Sequence, residues 1–114
     1  MKKNIRIQKD RSIIFSRARL TTGFMDRLQG LLGTTSILTE EPLIIDNCSS
    51  VHSFFMKYTI GVIHLNSNNA IIGYEVLPPH RIGRMIWGTK KVIECHPDAY
   101  QDKHLKIGDR ILFY

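Results

Sequence analysis

A chain of 114 residues, 43% hydrophobic and 23% charged, has the length of one domain with one core, and its composition excludes extended disorder. No apolar run approaches the roughly 20 residues that span a bilayer, and the basic start Met1–Arg6 leads into no apolar stretch. A membrane helix and a secretion signal are therefore not expected, and the expected compartment is the cytoplasm. The formal net charge is +6, which raises a polyanion as one partner to weigh.

In chain order, Ile5 and Ile7 alternate with Arg6 and Gln8, the period of a strand. Lys9 to Ser12 reads as a turn, and Ile13 to Arg19 as a second strand paired to the first. Thr21 or Thr22 can then cap a helix over about 22–32. In it Phe24, Leu28, Leu31 and Leu32 form one apolar stripe, and Gly33 stops it. Leu28, Leu31 and Leu32 are expected in the core.

After Thr34–Ser36 the pattern returns to strands. Pro42–Ile45 is a short apolar run and Asp46–Ser50 is rich in turn formers. Val51–Tyr58 is apolar or aromatic with polar breaks. Val62–Leu65 and Ala70–Leu77 read as a hairpin around Asn66–Asn69. Pro78-Pro79 ends it and opens a loop, His80–Thr89, that carries Arg81, Arg84 and the single tryptophan, Trp87. Lys91–Glu94 is a further strand, Pro97–His104 one helical turn or two, and Arg110–Phe113 the last strand. The fold class expected is mainly β (α+β), a single domain over 1–114. It would be a compact barrel-like or sandwiched fold of about seven or eight short strands with one packed helix. Strands without regular helices between them argue against a doubly wound parallel sheet.

Four blocks of residues resemble one family. They are Arg27-x-x-Gly30-Leu31-Leu32, Cys48-x-Ser50-Val51-His52-Ser53-x-x-Met56, Ile93-Glu94, and Gly108-Asp109 before the last strand. In order and spacing they are similar to the family catalogued as domain of unknown function 192, over nearly the whole chain. The resemblance implies a β-rich single domain and no particular activity. The chain departs from the family pattern at Thr59-Ile60-Gly61, where the family usually has Pro-Ile-Asp, and at Asp98, where it usually has Gly.

The chemistry-bearing residues form no complete catalytic set. Cys48 and His52 suggest a thiol–imidazole dyad, yet four residues of strand span roughly 13 Å, too far for a proton transfer. Cys48, His52, Met56, Cys95 and His96 are soft donors, but none has the spacing of a structural zinc site. No metal and no cofactor is expected, and both cysteines are expected to be reduced thiols.

Residues 1–30 carry eight basic side chains against two acidic ones, and the rest of the chain carries eight of each. Lys2, Lys3, Arg6 and Arg11 are thus candidate anion-binding residues. A charged edge that keeps a β protein soluble explains them more simply. Trp87 either serves recognition or plugs the core.

The reading favoured is a soluble, non-enzymatic binding or accessory module for an unknown protein or small molecule. Its candidate site residues are Arg27, Cys48, His52, Met56, Arg81 and Trp87. The alternatives are polyanion or nucleic-acid binding through the N-terminal face, and a small cysteine-dependent enzyme using Cys48 and His52.

Overall fold

The structure is a computed structural model that describes residues 4–9, 12–21, 42–48 and 58–113. Among the described residues, seven strands lie in one sheet: β1 (Asn4–Lys9), β2 (Ser12–Thr21), β3 (Leu43–Asp46), β4 (Ile60–Leu65), β5 (Ile71–Leu77), β6 (Lys91–Cys95) and β7 (Ile111–Phe113). A single helical turn, α1 (Ala99–Asp102), precedes β7. The chain is mainly β with very little helix among the described residues. The helix expected at 22–32, with Arg27 and its leucine stripe, lies outside them.

The strand order is β5-β4-β6-β3-β2-β1-β7, and every pairing is antiparallel except β2 with β3. A parallel pair cannot be joined by a tight turn and needs a long crossover, for which residues 22–42 provide the length. Two strand ends differ from the sequence expectation for the same reason. Arg19, Leu20 and Thr21 pair with Leu43, Ile44 and Ile45, so β2 runs through Thr21. β4 begins at Ile60 because Ile60 and Gly61 already pair with Leu77 and Val76.

The β4–β5 hairpin turns as its asparagines require. Asn69 N–H donates to the Asn66 carbonyl (3.0 Å), and the Asn66 side chain accepts from Asn68 N–H (2.9 Å) and Ala70 N–H (3.0 Å). Asn69 sits at φ 61°, a left-handed conformation that asparagine tolerates. The outermost strands of the order approach one another at one corner. Ala70 bridges Arg110, and Ile111 N–H donates to the Asn69 carbonyl at 2.8 Å.

Alternation along the strands separates two faces. One packs Ile44, Ile63, Leu65, Ile71, Ile93, Cys95 and Ile111 with Phe15, Ala18, Ala99 and Leu105. The other packs Leu43, Ile45, Ile60, Val62, Leu77 and Val92. The same alternation puts His64 and Glu94 on this second face, and both are fully buried. It also puts Glu75 there, diagonal to His64 across the β4–β5 ladder, with Gly73 directly opposite His64.

Candidate functional site

Cys48, Arg81 and Trp87 are the sequence-nominated residues whose surroundings the structure describes. Arg27, His52 and Met56, with Lys2, Lys3 and Arg11, lie outside the described residues, and Arg6 is placed only as a backbone position in β1. Both cysteines are free thiols. Cys95 is buried, and burial, reinforced by the neighbouring Glu94 charge, pushes its thiol up to about 12. A thiol so reluctant to ionise is no nucleophile. Cys48 is half-buried and is the thiol that reaches a cavity.

That cavity, of about 200 Å³, is lined by Asn47, Cys48, Thr89 and Lys90. Its walls are tied by backbone: Cys48 N–H donates to the Lys90 carbonyl (3.0 Å), and Lys90 N–H to the Leu65 carbonyl (2.8 Å). Asn47, at φ 50°, makes the left-handed bend that ends β3 and turns Cys48 toward this junction.

Behind the cavity stands a chain of polar side chains that sequence reasoning passed over. The Thr89 Oγ1 lies 3.0 Å from His64 Nδ1, and His64 Nε2 lies 3.1 Å from Glu75 Oε2. Both Glu75 oxygens also lie 3.1 Å from the Arg84 N–H. A carboxylate only accepts, so in the neutral imidazole Glu75 sets the hydrogen on Nε2 and leaves Nδ1 as an acceptor. The Thr89 hydroxyl then donates to Nδ1. The signal in the sequence was faint: a histidine at an inward position of β4 and a glutamate at an inward position of β5, eleven residues apart.

The loop between β5 and β6 is pinned by this same group. Arg84 is held by Glu75 and Thr89 by His64. The Ile86 terminal methyl takes the space a side chain on Gly73 would need. Thr89 N–H closes a turn onto the Ile86 carbonyl at 3.1 Å, with Gly88 at φ 93°. That turn projects Trp87 into solvent, 97% exposed, which excludes the core-plug reading of this residue. Ile82 and Met85 are 72% and 76% exposed on the same loop, and Arg81 and Arg84 are exposed beside them.

Gly61, the departure from Pro-Ile-Asp, also has a physical account. A Cβ there would meet the Tyr74 hydroxyl at 2.8 Å and the His96 carbonyl at 3.2 Å. Tyr74 donates to the Pro97 carbonyl and stacks on Tyr100 at 4.1 Å. Burial, followed by the Cys95 and Asp98 charges, holds its phenol far above the ordinary tyrosine range. A neutral phenol occupies the room that a carboxylate at position 61 would need.

Among the described residues no three His, Cys, Asp or Glu side chains converge to hold a metal ion. No described helix is long and apolar enough to cross a membrane.

Comparison with known proteins places this geometry. A UPF0127 protein of Pyrococcus furiosus is 29% identical over 96 residues, 82% of this chain and 83% of its own length. A UPF0127 protein of Thermococcus sibiricus is 27% identical over 99 residues, 83% of this chain, and the match spans 64% of its own length. Among solved structures, a proposed transcription regulator from Sinorhizobium meliloti 1021 superposes with a TM-score of 0.81 at 16% identity, covering 99% of this chain and 94% of that one. A protein of unknown function from Novosphingobium aromaticivorans superposes with a TM-score of 0.76 at 15% identity, covering 97% and 84%. At those identities the likeness is one of fold alone. The model of the DUF192 family, described as Uncharacterized ACR, COG1430, matches residues 5–113, and the chain belongs to that family.

Proposed function

We propose that the chain is a binding module that grips an acidic, partly apolar segment of a partner protein with the β5–β6 loop. The observation that carries this reading is Trp87 at 97% exposure on a turn fixed from below. An indole in water forfeits a large apolar burial, on the order of several kcal/mol at 25 cal/mol per Å². A loop tied by Glu75, His64 and Gly73 cannot recover it by folding inward. Ile82 and Met85 extend the apolar surface, and Arg81, Arg84 and Lys90 set its charge, which favours a partner bearing Asp or Glu. Pre-ordering the loop lowers the entropy cost of association.

The wider reading follows from the same features: a barrel-like sheet, suggested by the Ala70–Arg110 bridge between its outermost strands, acting in the cytoplasm. Selection of phage-displayed peptides on the immobilised protein tests the proposal. Enriched peptides are expected to combine Asp or Glu with aromatic or aliphatic residues. A synthetic peptide of that sequence should lose at least about tenfold in affinity on Trp87→Ala. Enrichment of peptides without acidic residues, or affinity indifferent to Trp87→Ala, would overturn it.

A second reading, nucleic-acid binding, draws on the excess of basic residues in 1–30, of which Arg6, Lys9, Arg17 and Arg19 lie on the β1–β2 hairpin, and on the description of the Sinorhizobium protein. It requires affinity for a DNA or RNA duplex that falls steeply with salt and with Arg17→Glu and Arg19→Glu together.

A further inference from the structure

The Thr89–His64–Glu75 chain has the connectivity of a nucleophile, a base and an orienting carboxylate, with links of 3.0 and 3.1 Å. A packing role explains part of it, because a buried histidine needs partners on both ring nitrogens. Packing alone does not require the residue at the end of the chain, Thr89, to line a cavity of about 200 Å³. Nor does it require Lys90 and Asn47 to line the same cavity.

We propose that Thr89 is a nucleophilic hydroxyl that takes up an acyl group from a small activated carboxylic ester. His64 acts as its base, and Glu75 holds the imidazole in the accepting tautomer. The Thr89 oxygen bonds to the ester carbonyl carbon while its proton passes to His64 Nδ1. The carbonyl oxygen becomes an oxyanion, which donors from Lys90 and Asn47, residues that line the same cavity, would stabilise. Collapse of that intermediate breaks the carbon–oxygen bond to the leaving group, which departs as an alcohol with the proton from His64. The products are one acyl-threonine and one alcohol.

His64 has no exposed surface, so water has poor access to the base that would activate it for the second step. The acyl group should therefore stay on Thr89 longer than the first step takes. This inference stands apart from the recognition role of the loop, and either can fail without the other.

The test uses the intact chain and p-nitrophenyl acetate. A burst of nitrophenolate approaching one per chain is expected, followed by slow release. Mass mapping should place one acetyl group on the peptide that contains Thr89. Thr89→Val, which keeps the shape of the side chain, should lower the rate of acetylation at this peptide on the order of 10²-fold, as should His64→Gln. Thr89→Ser should restore it. Circular dichroism identical to the parent establishes that each variant is folded. If His64→Gln does not fold, the Thr89→Val and Thr89→Ser pair decides alone. No burst, acetyl groups only on lysines or Cys48, or a burst that survives Thr89→Val would overturn the proposal.

Discussion

The two faces of the sheet are built from the same strands and do different work. One is a core of buried apolar side chains, from Phe15 through Ile63 and Ile93 to Ile111, with Tyr74 and Tyr100 packed against it. The other breaks its apolar run with His64, Glu75 and Glu94, and it is the face on which the β5–β6 loop is anchored through Glu75 and His64. Burying a polar group costs free energy unless its partners are present, so stability alone would favour leucine or valine at these positions. The contrast teaches that one side of the sheet holds the fold while the other holds a loop in place.

The largest expected effect tests the first half of that contrast. Ile63→Ala, at a side chain 1% exposed, should cost roughly 2–5 kcal/mol in denaturant unfolding. A loss under about 0.5 kcal/mol would show that the apolar face is not the core.

Gly61→Ala comes next. The added methyl would strike the Tyr74 hydroxyl and the His96 backbone, and one of them is a carbonyl that cannot swing away. A cost of roughly 1–3 kcal/mol is expected, and Tyr74→Phe in the same background should recover part of it. No recovery would mean that the phenol does not set the room at this position.

The pH dependence of stability sharpens the same face. In the folded chain the Cys95 thiol is pushed up to about 12, above the ordinary thiol value of 9.0. The folded state therefore keeps a proton that the unfolded state releases. Its contribution is complete below pH 9 and is lost as pH rises toward 12, with a slope of at most about 1.4 kcal/mol per pH unit. The difference in stability between the parent and Cys95→Ala should narrow across that window. A difference that is flat with pH would contradict it.

The smallest effect belongs to the loop. Trp87→Ala should change stability by less than about 0.5 kcal/mol, because the side chain touches water and little else. A larger loss would show that the indole packs on something, and the recognition role would lose its basis.

The sequence by itself determined the strands and their turns. Alternating Ile and Val residues, the Asn66–Asn69 turn and the Gly108 turn each act within a few residues, through backbone geometry and period, and they located β1 through β7 to within about two residues. It also determined the family, because the four blocks are read in order along the chain.

Only the tertiary structure decided the rest. Whether Trp87 lies in the core or in water depends on what holds the loop, and the holders are Glu75, His64 and Gly73, on strands that precede it. The end of β4 at Ile60 and of β2 at Thr21 depends on partners tens of residues away. The junction of Cys48 with Thr89 and Lys90 is made by a strand pairing between β3 and β6 that no local pattern records. A site assembled by pairing between distant segments leaves no period in the sequence, because each residue in it obeys only the rule of its own strand or turn.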